Sequence, residues 1–541
     1  MVVGGPTSTG GKNRFRWWAL FALCWAELLV FVDNTIVNVA LPTIAREMSA
    51  DNSGLQWVVD MYTLVFAGLL LTGGYLGDRF GRRLVLQVGL VGFAALSIPA
   101  AMSDTLGQLI AARAGLGLFA ALVFPATLAI IVVIFDDLTE RALAVALWAA
   151  VAGVAIAIGP LLGGWLLEHF SWGAIFWVNI PAGLLAAFLV ALLVPPNKNP
   201  DVGPFDLRGV VLSGVGIVLF VYCVIEAPNH GWWSIQTIVG CGLGVLVLAL
   251  FARWEYRHTH ALFDVRLFAD RGFATAALLM AFGFFALMGF VFLVTQYFQG
   301  VRDYSALETG VRTLPFAIVM GLLAGPSMWL ASKVGAGRTA AFGSLVMAAG
   351  FVMTVQYDTD TSYWGVIVVA MSTMAAGVAL ISGPATFLVL NEISAGQAGA
   401  GAAVNDTSRE IGGTLGVAVL GSIVASVYSA NVAESLADTP LPDEVKETSE
   451  SSLMVGVHTA EQIPGPLGDQ LESVVKGAFI TGFHSASWVA AAIAAGAAAA
   501  GWWVFQTDTR RSNTVTDRTR PTSSVAKTTP DTPAGDEEPV T

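Results

Sequence analysis

Charge is what this sequence has little of. Lys, Arg, Asp and Glu make up 12% of its 541 residues, against about a quarter in soluble domains. That scarcity excludes an ordinary water-exposed surface over most of the chain. Cysteine is rare too. Cys24, Cys223 and Cys241 each lie inside an apolar run, as small hydrophobes do, and no disulfide framework is expected. No His/Cys/Glu cluster has metal-ligand spacing, and no Gly-x4-Gly-Lys loop for phosphate is present. These gaps argue against an enzyme and against a nucleotide-driven machine, and no cofactor is expected. The net charge of −12 gathers largely in two polar segments, 431–476 and 529–541. It is not the signature of a nucleic-acid partner.

What the chain has is apolar sequence, 55% hydrophobic residues, in runs of about 20, each able to cross a hydrocarbon core of roughly 30 Å. The spacing predicts fourteen membrane helices at 17–41, 54–76, 84–103, 107–134, 141–167, 173–194, 208–227, 234–254, 272–298, 307–331, 338–356, 363–389, 402–430 and 480–506. The first run is too long for a signal-peptide core and lacks a small-residue cleavage site. Basic residues mark alternate connections: Arg79, Arg82, Arg83, Arg141, Lys198, Arg208, Arg253, Arg257, Arg266, Arg271, Lys333 and Arg338. Lys12, Arg14 and Arg16 of the N-terminal arm fall on the same side, as do Arg510, Arg511, Arg518 and Arg520 of the tail. Both termini are therefore expected in the cytoplasm.

The expected organisation is all-α and integral to the membrane. A cytoplasmic arm (1–16) precedes a six-helix bundle (17–195), an inserted pair (206–256) and a second six-helix bundle (270–506). Each bundle is read as an inverted repeat. The acidic outer loop 431–479 reads as solvated linker, and the cytoplasmic tail 507–541 as disordered.

The connection after the second helix reads Gly74-Tyr75-Leu76-Gly77-Asp78-Arg79-Phe80-Gly81-Arg82-Arg83. Its chemistry suits a helix-end latch. Gly74 and Gly77 would let a neighbouring helix approach, Asp78 would face a helix N-terminus, and the arginines would hold acidic partners or lipid headgroups. The stretch resembles the signature loop of the major facilitator superfamily. Asp33 to Pro42 is similar to the first-helix motif of its fourteen-helix drug:proton antiporters, and Arg113 with Gly115 and Gly117 to the fourth-helix motif. Gly159, Pro160, Gly163 and Gly164 resemble the fifth-helix motif associated with antiport, and Ile175–Gly183 and Asn405–Gly416 are similar to later stretches. The sequence departs from the pattern at Ala155, Gly173, Ala174 and Glu410 and in carrying Glu27.

Charges at bilayer depth are costly and mark function. At about 1.5 Å rise per residue, Asp33 lies about 12 Å from the outer surface, and Asp60 and Arg113 about 9 Å. An Asp33–Asp60–Arg113 cluster on three helices would relieve the desolvation of each member. It could also act as a proton switch, because burial favours the neutral carboxyl and a nearby cation the ionised one. A static ion pair that only holds helices together is the alternative. Glu27 lies at mid-depth and shares a helix face with Asn34 and Asn38, all within about 20°. That polar stripe either receives a cationic substrate or is simply neutral and hydrogen-bonded. Arg409 and Glu410 are further buried charges, pointing about 100° apart. Glu226, beside His230, Trp232 and Trp233, reads as interfacial, and His484 as a packing residue.

The resemblance implies a proton-driven exporter of amphipathic, aromatic or cationic small molecules, acting as a monomer in the cytoplasmic membrane of a bacterium. Trp57, Tyr62, Trp148 and Tyr297 are candidate aromatics for the substrate cavity. A broad multidrug pump and a dedicated exporter of a self-made antibiotic both fit. Arg outnumbers Lys and Ala and Gly abound, as high-GC codon usage gives, which suggests an actinobacterial origin. A non-transporting receptor on the same fold, or an exporter of an endogenous metabolite or lipid, is the alternative.

Overall fold

A chain segment in hydrocarbon must satisfy every backbone polar group internally, so apolar runs of this length become helices. The computed structural model describes residues 15–135, 137–196, 206–258, 265–391 and 398–518. No strand occurs among them. The arm 1–14 with Lys12 and Arg14, the linker residue Lys198 and the tail from 519 onward lie outside the described residues.

The first half comprises α1 (Arg16–Met48), α2 (Asn52–Phe80), α3 (Arg82–Ala101), α4 (Leu106–Ile134), α5 (Leu138–His169), α6 (Ala174–Trp177) and α7 (Asn179–Leu193). The inserted pair is α8 (Leu207–Ile225) and α10 (Ile235–Arg257), joined through the short α9 (Ala227–His230). The second half holds α11 (Arg271–Gln296), α12 (Ala306–Val334), α13 (Ala336–Thr354), α14 (Val368–Asn391), α15 (Ala398–Leu436), α16 (Asp443–Ser451), α17 (Leu453–Glu461) and α18 (Pro466–Arg518). Thirteen described helical segments are long and apolar enough to span a membrane. The remaining expected span falls on α5, 32 residues long, where Val154–His169 forms a shorter apolar run. The sixth span is broken between α6 and α7. Pro181 explains the break, because it has no N–H to offer the carbonyl of Trp177, four residues back.

The halves meet in a symmetric way. The second helix of each packs on the fifth of the other, α2 on α15 and α12 on α5. The bonds that cross the seam lie towards the end where α1 finishes and α2 begins. Gln299 donates to the Val39 carbonyl, Ser422 to Gln56, and Thr414 to Thr63. The inserted pair leans on this seam, with α8 against α2 and α15 and α10 against α8.

The segment 431–479 is not a solvated linker. α15 continues to Leu436, α16 and α17 follow, and α18 starts at Pro466. Leu453, Met454, Val457, Ala460, Leu471 and Val475 are buried. Tyr428 donates to the Ser449 carbonyl, and Ser452 reaches the Ala50 carbonyl at the α1–α2 connection. This acidic strap leaves the second half and grips the first. Its amphipathic pattern is short and interrupted, so its hydrophobes become a core only where the halves' ends lie beneath them. α18 likewise runs on to Arg518, past the expected start of the tail at 507.

Candidate functional site

Asp33 sits at the centre of the first half with no exposure. One carboxylate oxygen accepts from Arg113 Nη1 at 2.6 Å and the other from Asn179 Nδ2 at 2.6 Å. Arg113, also fully buried, donates through Nε to the Val58 carbonyl at 3.0 Å. Its guanidinium lies 4.2 Å from the Tyr62 ring centroid, and Tyr62 donates to the Val30 carbonyl. α1, α4 and the start of α7 thus each deliver one member of a buried trio built on the Asp33–Arg113 ion pair. Breaking such a pair strands a charge in low dielectric. The expected partnership of Asp33 with Arg113 is present. Asn179, quoted above only as part of a motif, completes it; an Asn inside an apolar run was the available signal.

Asp60 does not join them. It is fully buried, and neither carboxylate oxygen has a hydrogen-bond partner. The helical period places it on the α2 face shared by Gln56 and Thr63, and both of those bond to α15. Asp60 therefore faces the seam between the halves rather than the interior of one. Equal depth placed it beside Arg113 in the sequence reading; helix rotation turns it away.

Glu27 is 1% exposed, and its Oε2 lacks a partner. Among side chains it feels Arg409 most strongly and then Asp406, both on α15 of the other half. Arg409 lies 3.8 Å from Asp406 and 4.5 Å from the Phe284 ring centroid. Glu410 feels the same two charges. Asp406 was missed in the sequence, although an acid three residues before an Arg is a standard helical pairing. Along the Glu27 stripe, Asn38 donates to the Asn34 carbonyl and Asn34 is half-buried.

The four candidate aromatics are dispersed rather than gathered around one cavity. Trp57 bonds Glu226 and stacks towards Tyr222 of the inserted α8. Tyr62 is fully buried beneath Arg113. Trp148 donates to Thr127 and packs on Phe124 inside the first half. Tyr297 donates to the Asp358 carbonyl within a cluster with Tyr357 and Phe483. Their rings fill helix interfaces, where an aromatic gains most from burial. His484 bonds the Tyr357 carbonyl, a packing role as expected.

Over residues 23–417 the sequence matches the Major Facilitator Superfamily. The chain belongs to that superfamily. It is 34% identical to the multidrug efflux pump LfrA of Mycolicibacterium smegmatis, over 92% of this chain and 98% of that one. It is 32% identical to the tetracenomycin C resistance and export protein of Streptomyces glaucescens, over 91% and 92% respectively. Among solved structures it superimposes on a bacterial homolog of the human lysosomal transporter Spinster, in an inward-facing and unoccupied conformation. The TM-score is 0.61 at 17% identity, covering 91% of this chain and 98% of the other. That likeness is one of fold. The protein is a multi-pass transporter of the bacterial cytoplasmic membrane.

In this superfamily member the signature loop is a helix-end clamp. α2 runs through Asp78 and Arg79 to Phe80, and Gly81 turns the chain at φ 111°, a region open to glycine. Arg82 clasps Asp78 at 2.7 Å and donates to the Ala129 carbonyl near the end of α4. Arg83 donates to the Ala191 carbonyl at the end of α7. Arg79 bonds Tyr75. Asp78 thus meets the N-terminus of α3 through the side chain of its first residue, Arg82. The close-approach glycine is Gly73, where a Cβ would collide with the Ala121 carbonyl; Gly74 and Gly77 have ordinary room. The fifth-helix motif forms two contacts. A side chain on Gly159 or Gly163 would strike Thr35 or Ile36 of α1. One on Gly164 would strike Ala306 of the other half, just as one on Gly310 would strike the Pro160 carbonyl.

Proposed function

We propose that this protein is a proton-coupled antiporter that exports amphipathic, cationic or aromatic drug-like molecules by alternating access. The observation that carries the reading is the Asp33–Arg113–Asn179 site, a titratable group held by a cation in the heart of one half. Positive-inside asymmetry puts both termini in the cytoplasm and the strap outside. The halves then touch at their outer ends, through Gly164, Gly310 and the seam bonds, as in an inward-facing state. Outward opening separates α2 from α15 and α5 from α12, and bends the first half around Asp33. Any change in the distance of Arg113 alters the proton affinity of Asp33. One protonation then accompanies one direction of rocking.

On this reading Glu27, with Asp406, Arg409 and Glu410, faces the substrate. Asp78 with Arg82 biases the conformational equilibrium from the cytoplasmic end. Both relatives above carry export or efflux in their names, which supports drug export here. The proton gradient is the energy source; no cofactor, metal, nucleic acid or catalytic step enters, and the monomer is the working unit within the lipid bilayer. The test uses purified protein in liposomes: gradient-driven uptake of a fluorescent cationic dye into inside-out vesicles, and substrate-induced proton release in detergent. A protein that binds such compounds but shows neither counterflow nor proton release would be a receptor on a transporter fold.

A further inference from the structure

The environment of Arg409 has the composition of a cation-binding site. Its guanidinium lies on the face of Phe284, 4.5 Å from the ring centroid. Glu27, from the opposite half, is almost fully buried and keeps one carboxylate oxygen without a hydrogen-bond donor. Asp406 and Glu410 complete a set of three acids against one base. An aromatic face combined with desolvated carboxylates is how proteins hold organic cations. Arg409 is held loosely there. Its nearest carboxylate, Asp406, is 3.8 Å away, and its Nε has no acceptor. The two side chains keep 21% and 15% of their exposure, so water reaches them.

We propose that Arg409 is a tethered stand-in for the substrate: it fills the cation site of the empty transporter and is displaced when an organic cation enters. The displaced guanidinium has a place to go. Asp406 is one helical turn before it and 3.8 Å away, so closing onto that carboxylate needs side-chain rotation alone. The entering cation takes the Phe284 face and the free oxygen of Glu27, an acid of the other half. Substrate thereby bridges the halves, whereas Arg409 is anchored on α15. The stand-in keeps the buried acid compensated when no substrate is bound, and selects against ligands too weakly cationic to displace it. This inference deepens the export reading and rests on it for the choice of organic cations as the substrate class.

The test measures binding of tetraphenylphosphonium, a permanent aromatic cation that cannot titrate, to the purified full-length protein. Triphenylphosphine oxide serves as the uncharged comparator. An internal competitor lowers apparent affinity by the fraction of time the site is free. Arg409→Gln should therefore tighten tetraphenylphosphonium binding about tenfold or more, and leave the comparator within about twofold. Arg409→Lys keeps a tethered cation and should hold the affinity near wild type. Glu27→Gln should weaken binding, and combining it with Arg409→Gln should erase the gain. Melting temperatures within a few degrees of wild type confirm that each variant is folded. Unchanged or weaker binding by folded Arg409→Gln would overturn the proposal, as would equal tightening by Arg409→Lys. Gradient-driven transport is measured on the same preparations. Transport with no affinity gain sinks the stand-in alone; an affinity gain without transport sinks the antiporter reading and leaves the site standing.

Discussion

Replacing Asp33 with Asn removes one charge from a site with no exposure on either partner. Asn keeps the size but not the pattern of donors and acceptors. Asp33 accepts from Arg113 on one oxygen and from Asn179 on the other. An Asn there can keep its oxygen towards Arg113 while Asn179 flips its own amide to accept from the new N–H, so what is lost is the negative charge. Arg113, whose Nη2 already lacks a partner, is then left as an uncompensated buried cation. Losing one partner of such a pair costs about 3–5 kcal/mol. Removing both charges, as in Asp33→Asn with Arg113→Gln, should return most of that loss, and the coupling term of the double-mutant cycle isolates the pair. Function should behave differently from stability. Neither the single nor the double variant can titrate at position 33, so both should bind or equilibrate substrate downhill and neither should pump it uphill. The assays are unfolding of the purified protein in mixed detergents and gradient-driven transport in liposomes. If Asp33→Asn costs less than about 1 kcal/mol and still pumps at the wild-type proton ratio, the reasoning fails. Asp60, with both oxygens unpartnered on the seam, would be the next candidate.

Asp78→Asn loosens the clasp on Arg82 at a partly exposed position, so it should cost about 1 kcal/mol or less in stability while slowing transport severalfold; wild-type rates at equal protein levels would count against the latch. Met454→Asp places a charge where the strap meets Gly300, and should undock it, seen as faster proteolysis between 437 and 465 and as a shift towards outward-open labelling at Gln299. Unchanged cleavage would mean that the strap does not hold the seam. Gly164→Val forces the halves apart at Ala306, so the outer seam should become accessible to thiol reagents at an introduced cysteine at Ser305, with uphill transport lost. An epitope inserted at the exposed Gly465 turn and another after Thr541 should report opposite sides of the membrane; both on one side would refute the topology.

The sequence alone determined the spans and their order. Apolar length and backbone satisfaction leave helices as the only solution in hydrocarbon, and the placing of basic residues gives the orientation that the epitope test checks. It also marked Asp33 and Arg113 as partners, because two charges at one depth in apolar helices need each other. Only the tertiary structure decided which way each helix faces. Depth is a one-dimensional quantity, and Asp60 shares it with Arg113 while being rotated onto the seam. The same rotation buries Tyr62, Trp148 and Tyr297 in helix contacts and sets Glu27 within the electrostatic reach of Arg409, 382 positions away along the chain. The strap depended on tertiary structure in another way. Its acidic, Pro- and Gly-punctuated sequence has too few hydrophobes to form a core of its own. It folds because Leu453 and Met454 find Gly300, and Ser452 finds Ala50, on surfaces that exist only once the two halves have come together at that end.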